Sequence, residues 1–341
     1  MKLPARLEAV FASLFRWTGV AFWLAFGLLL VTSLYHTVSV RLARRHVVPA
    51  EIVGIPGGLR LRLRCAGRAG PVVLLECGQG CGLDAWGYVE PQVARFTRVC
   101  AFDRAGSGWS DAPRALPRDA RTLGTELHSL LDTADIARPI IYVAHSAASF
   151  NALVYTGLYP AEVAGIVFVE GSHPDEMTSA TAAQFESAQR VQTLVSTCST
   201  LAGTGLPHAL GTLGLSSTVP HIGGYPGETR ESAAAAGYRD GYCEGVLHEM
   251  QAFERSANQA RAVRLAPQLP IVAITGARNQ ADGPPPASDL DRALAKLSLN
   301  GLHVISKRAG HYVQLDDPEI VVSAIRAVVD AHQRGVAVQL P

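Results

Sequence analysis

Lysine is almost missing from this chain. It occurs only as Lys2, Lys296 and Lys307, so 27 of the 30 basic side chains are arginine, a bias of genome composition more than of function. An excess of charge is missing too. Thirty basic against 29 acidic residues leave a formal charge of +1, which gives no electrostatic footprint for a nucleic-acid partner. Cysteine is scarce: six in 341 residues are too few for a disulfide-dense scaffold. With 17% charged and 48% hydrophobic residues, the balance is the reverse of a disordered chain. There is no internal repeat, and the only low-complexity tract is Pro284–Pro286. The length fits one large domain or two modest ones.

What is present begins with a hydrophobic run. Trp17–Tyr35, WTGVAFWLAFGLLLVTSLY, holds 19 residues without a charge. As a helix it is about 28 Å long, close to the thickness of bilayer hydrocarbon. Trp17, Trp23 and Tyr35 suit the interfaces. A signal-peptide apolar region is shorter and precedes a small-residue cleavage site, and no convincing A-x-A follows Tyr35. The run is therefore expected to be a retained transmembrane anchor; a cleaved signal and a buried core helix are the alternatives. Lys2, Arg6 and Arg16 precede it and Arg41, Arg44 and Arg45 follow it, so the positive-inside rule leaves the side of the remaining chain undecided.

Beyond the anchor, strand and helix signals alternate. Apolar, branched runs lie at Leu59–Cys65, Val72–Leu75, Val99–Phe102, Ile140–Val143, Ala164–Val169, Ile271–Ile274 and His303–Ile305. Helical stretches lie at Ala85–Phe96, Asp119–Ile136, Ala147–Tyr159, Asp289–Leu297 and Pro318–His332. In the last, Ile320, Val321, Ala324, Ile325, Val328 and Val329 make one apolar face. Nearly continuous apolar strands alternating with helices predict an α/β fold with a mostly parallel sheet covered by helices. Residues 172–267 break the alternation with helix-prone, strand-free sequence and read as a helical cap inserted into the sheet. The expected plan is a tail and anchor at 1–45, a core at 46–171, the cap at 172–267 and the rest of the core at 268–341.

Ile140–Phe150, IIYVAHSAASF, runs from strand to helix through a turn of small residues, the shape of a nucleophile elbow. It would expose the Ser146 hydroxyl over a helix N-terminus. Both glycines of the G-x-S-x-G pattern are alanine, at Ala144 and Ala148, and alanine tolerates strained dihedrals less well. A serine here could also simply cap a helix. Pro71–Gly82, PVVLLECGQGCG, is a strand ending in a glycine-rich loop. The N–H of Gln79, or of Gly80, could join that of Ala147 in an oxyanion hole. Arg98–Asp111 is a second strand and glycine-rich turn. Gly310–His311 lies between a strand and the final helix, in the order serine then histidine.

LLECGQG, DRAGSGWSD, AHSAA and GHYVQLDDPE, in this order over about Leu59–His332, resemble the α/β-hydrolase fold superfamily. The resemblance implies Ser146 as nucleophile, His311 as general base and 172–267 as the cap over a substrate pocket. LLECG departs from the family where Cys77-Gly78 stands for the common His-Gly. Relatives with an aspartate nucleophile are disfavoured by the serine. The usual acid position, after the strand before the last, holds Asn279, which can orient an imidazole but supplies no charge. Glu170, closing the strand after the elbow helix, is the first choice of acid; Asp282 is the alternative, and Asp175 lies further out.

Cys65 and Cys100 fall in strands and read as small buried hydrophobes. Cys77 and Cys81 bracket the glycine loop with no metal-ligand cluster in the sequence around them. Cys198 and Cys243 are the pair suspected of bridging in an oxidising compartment. His145 is expected to point away from the nucleophile and is given no chemistry. The expected reaction is acyl transfer from a small ester, or a related acyl substrate, to Ser146 and then to water, without metal or organic cofactor. An inactive binding protein of this fold, or an acyltransferase or lyase, are the alternatives.

Overall fold

In the computed structural model, residues 5–68, 70–179, 182–215, 217–278 and 286–340 are described. Eight strands make one sheet: β1 (Glu51–Ile55), β2 (Leu59–Ala66), β3 (Val72–Glu76), β4 (Val99–Asp103), β5 (Ile140–His145), β6 (Val163–Val169), β7 (Ile271–Gly276) and β8 (Gly301–Ser306). Their order is β1-β2-β4-β3-β5-β6-β7-β8. From β4 to β8 all neighbours are parallel; β1 and β2 add an antiparallel edge. Strands β3 to β7 are buried along their whole length, as expected for a sheet covered on both faces. The sequence reading lacks β1, whose Glu51, Ile52 and Gly54 face solvent and blur the apolar signal.

We number the helices of seven residues or more: α1 (Ala5–Ala43), α2 (Ala120–Thr133), α3 (Ala148–Leu158), α4 (Ala182–Leu201), α5 (Leu206–Thr212), α6 (Gly227–Ala236), α7 (Tyr242–Gln251), α8 (Phe253–Arg261), α9 (Pro286–Ala295) and α10 (Pro318–Arg334). Local chemistry sets their ends. Asp119 caps α2 by accepting the Thr122 N–H at 3.0 Å, a cap of about 1 kcal/mol. Pro318 opens α10, and Gly335 closes it at φ 64°, where a left-handed residue ends the helix at little cost. The helix expected over Ala85–Phe96 is only a 3-10 turn at Leu83–Trp86 and one turn at Glu90–Val93, because Gly87 and Pro91 interrupt it.

The alternation of side chains along each strand divides the core. Leu74, Tyr142, Ile166 and Phe168 pack beneath Leu127 and Leu131 of α2 and Phe150 and Leu153 of α3. Val73, Leu75, Val143, Val167 and Ile274 pack on Val321, Ile325 and Val328 of α10. The described residues of 172–267 are helical and carry no strand. Only 6% of the apolar stretch of α1 is buried, which separates it from an ordinary core helix.

All six cysteines are paired, as Cys65–Cys100, Cys77–Cys81 and Cys198–Cys243. Reading Cys65 and Cys100 as unpaired hydrophobes is corrected here: the β2–β4 register sets them directly opposite each other, and register is not visible in an isolated strand. The suspected Cys198–Cys243 bridge is present and ties α4 to α7.

Candidate active site

Strand β5 delivers Ser146 to a turn at the sheet's C-terminal edge. Its backbone is left-handed, φ 54°, a conformation costly for a side-chain-bearing residue. The turn is held from three sides: Ser146 N–H donates to Val169 O at 3.2 Å, while its carbonyl accepts from Ser149 N and Ser172 N at 3.0 and 3.1 Å. Alanine suffices at 144 and 148 because the positive φ falls on the serine itself and neither alanine has one.

His311 follows β8 on a loop, and its Nε2 lies 3.1 Å from Ser146 Oγ, within reach for proton transfer. Protein packed around the imidazole, and then the nearby His221, push its pKa below the ordinary 6.5. It is therefore a neutral acceptor near pH 7. Protonated His311 cannot take the serine proton, so kcat/KM should fall only as pH drops through a value below 6.5. A pH series with a p-nitrophenyl ester reads this limb; a midpoint above 6.5 would contradict the assignment.

The loop after β3 reaches the same place. A Cβ added to Gly78 would lie 2.7 Å from Ser146 Cβ, so only glycine lets the loop come this close. The Gly78 N–H is occupied, donating to His145 Nδ1 at 3.3 Å. Gln79 and Ala147 both line a small cavity of about 20 Å³, and among the described residues neither main-chain N–H has a protein acceptor. Two free donors at the nucleophile are what an oxyanion hole needs.

His145, given no chemistry from the sequence, packs its ring 4.8 Å from that of His311 and is not idle. Its Nε2 is 3.0 Å from His311 O, so Nδ1 accepting from Gly78 assigns the proton to Nε2. Full burial, with His311 nearby, pushes its pKa well below 6.5 and keeps it neutral. One imidazole thus spaces the donor loop against the histidine loop. Nδ1 also lies 3.7 and 3.9 Å from the sulfurs of Cys77 and Cys81, an arrangement that could hold a metal. The sulfurs are bonded to each other, however, and a disulfide supplies no thiolate ligand.

Arg104 is a second residue missing from the sequence reading. Buried at the end of β4, it donates to Cys77 O, to Gly78 O at 2.9 Å and to Glu76 at 3.2 Å. Its other edge grips Glu249 of α7 through two bonds of 3.0 and 2.9 Å. The carbonyls of the loop are thereby turned to the arginine. Glu76 also accepts from Tyr142 and Asn151, and burial pushes its pKa up. The available signal was a glutamate ending an all-apolar strand beside an arginine following the next one. Breaking a buried pair leaves an uncompensated charge. Arg104→Met should destabilise the fold by about 3–5 kcal/mol in denaturant melts; a loss below about 1 kcal/mol would show that solvent already compensates the pair.

The carboxylates fall differently from expectation. Glu170 closes β6 in a left-handed conformation, φ 47°, but its carboxylate accepts the Gly276 N–H. No hydrogen bond joins it to His311, and among the described residues no carboxylate bonds that ring. Burial and then Asp291 push Glu170 up to about 8. Asp175 is further away, paired with Arg261 at 2.8 Å. Asn279 and Asp282 lie outside the described residues. The chain leading to them runs beside the histidine loop: Arg278 N–H donates to Ala309 O at 2.8 Å, and a Cβ on Gly276 would meet Gly310 O at 2.1 Å.

Residues 70–318 match the family described as alpha/beta hydrolase fold. The chain belongs to that family. An AB hydrolase superfamily protein of Gibberella zeae is 24% identical over 282 residues, covering 76% of this chain and 86% of its own. Among solved structures, Cfl2 of Burkholderia cenocepacia superposes with a TM-score of 0.64 at 21% identity, covering 81% of this chain and 94% of its own. An esterase of Thermogutta terrifontis gives 0.59 at 18% identity, with 84% and 99% covered. At these identities the structural likenesses establish the hydrolase fold and nothing finer.

Proposed function

We propose that this hydrolase-fold protein is a membrane-anchored serine hydrolase that cleaves carboxylic esters through an acyl-enzyme. The observation that carries the reading is His311 Nε2 at 3.1 Å from Ser146 Oγ. His311 takes the serine proton as Oγ attacks the acyl carbon. The N–H groups of Gln79 and Ala147 receive the oxyanion, and His311 returns the proton to the leaving alcohol. Water, activated by the same imidazole, then releases the acid. Each step uses groups of this chain only. Incubation with a fluorophosphonate probe is the direct test: labelling of Ser146 supports the reading, and an unlabelled folded protein overturns it in favour of a binding protein.

For the third member we assign Asp282. Support comes from the Arg278–Ala309 pairing, which holds the chain at 278 beside the histidine loop, and from Glu170 being engaged by Gly276 and held near its protonated form.

Anchoring through α1 is supported by its length and by an 18-residue stretch within Ser13–Ala43 whose mean hydropathy is 1.8. Three disulfides support an oxidising compartment for the catalytic domain. Full-length protein should stay with membranes through alkaline carbonate, and after reduction its thiols should react with an impermeant maleimide added from the oxidising side. Release by carbonate would end the anchor reading; maleimide protection would reverse the orientation.

A further inference from the structure

The cap is bonded to the far end of the apolar run of α1. Thr32 Oγ1 donates to Thr204 O at 2.8 Å, Tyr35 and Thr212 share a bond of 2.7 Å, and His36 is 3.3 Å from His208. A Cβ on Gly205 would lie 2.2 Å from Thr32 O, so the two backbones touch. Thr32 and His36 are buried there, while most of α1 is exposed. Measured from Arg16, Tyr35 lies about 28 Å along the helix, at the far boundary of a hydrocarbon layer of about 30 Å. A spanning α1 therefore fixes α5 at that boundary. Just beyond α5, Leu213 and Leu215 are 72% and 71% exposed. Left in water such side chains gain no burial energy; against lipid they do.

A cleft of about 690 Å³ opens beside these leucines, in the size range of ligand sites. Leu215, Val219, Ile222, Ala234, Ala235 and Tyr238 form its apolar wall. Ile222 of that wall is followed back in the chain by His221, which stacks on Tyr312 with ring centroids 5.0 Å apart, and Tyr312 adjoins His311, so two stacked rings separate the cleft from the catalytic loop. We infer that this cleft holds one long acyl chain of a membrane amphiphile, taken up from the leaflet at the leucine-lined mouth with its ester directed toward Ser146. The inference rests on the anchored-hydrolase reading and names its substrate class.

The test uses the full chain carrying Ser146→Ala, in phosphatidylcholine nanodiscs, with a diazirine-bearing hexadecanoic acid as photoprobe. After irradiation, label is expected on peptides covering 208–222 and 231–238. Ala235→Trp, which fills the cleft, should reduce it at least tenfold. Leu215→Asp is a second variant at an exposed position; it should reduce label similarly without touching the fold. Label confined to α1, cap label unchanged by both variants, or crosslinks between two copies in place of probe label would each overturn the site. Because the protein tested lacks the nucleophile, failure here is distinct from failure of the hydrolase reading, which the fluorophosphonate probe reports. Carbonate extraction reports the anchor separately.

Discussion

Ser146→Ala should lower kcat on a model ester by about 10⁶ and abolish fluorophosphonate labelling, while leaving the melting transition in place. The size follows from the mechanism: the variant loses the covalent path, and the two donor N–H groups retain only what they do for direct attack by water. His311→Ala should cost nearly as much, and the double variant little more, since the two side chains act as a unit. Relief of the left-handed backbone at 146 is not expected from alanine, which also carries a Cβ. Unchanged turnover in Ser146→Ala would end the serine-hydrolase reading.

Asp282→Asn should lower kcat by about 10⁴, the cost of replacing the carboxylate of such a triad by its amide. Imidazolium forms transiently in each half-reaction, and an aspartate at the far nitrogen holds the tautomer and stabilises that charge. Glu170→Gln should change kcat less than about tenfold: its carboxyl is held near the neutral form, and glutamine keeps an oxygen to accept the Gly276 N–H. The measurement is kcat for both variants on a p-nitrophenyl ester across pH 6–9. Collapse in Glu170→Gln with full activity in Asp282→Asn would return the role to Glu170. Loss in neither would leave Asn279 as the orienting group.

Much of this molecule is legible from its sequence because local patterns and global fold agree. The apolar strands from Val72 to Ile274 are continuous because both sheet faces are covered, and small residues around Ser146 mark the elbow. Strand β1 escapes because an edge strand with a wet face carries little apolar signal. Cys65 opposite Cys100 escapes because pairing is a property of two strands. His145, Arg104 and Glu249 escape for a related reason: each acts through partners 26 to 166 positions away in the chain. Glu170 shows the converse limit. Sequence order brings it to the sheet edge that carries Ser146, but that its carboxylate accepts the Gly276 N–H is a matter of tertiary packing, which no pattern encodes.

The two-sided grip of Arg104 has a mechanical consequence. One guanidinium bonds Cys77 O and Gly78 O on one edge and Glu249 on the other, so α7 and the donor loop travel together. Lifting α7 would unfasten the very loop that must receive the oxyanion. Nor is the outer cap independent of it: the Cys198–Cys243 bridge carries any movement of α4 to α7, and Tyr242 of α7 also bonds Gly80 O. Roof and floor of the site therefore hang on one frame, and traffic through the first is felt at the second.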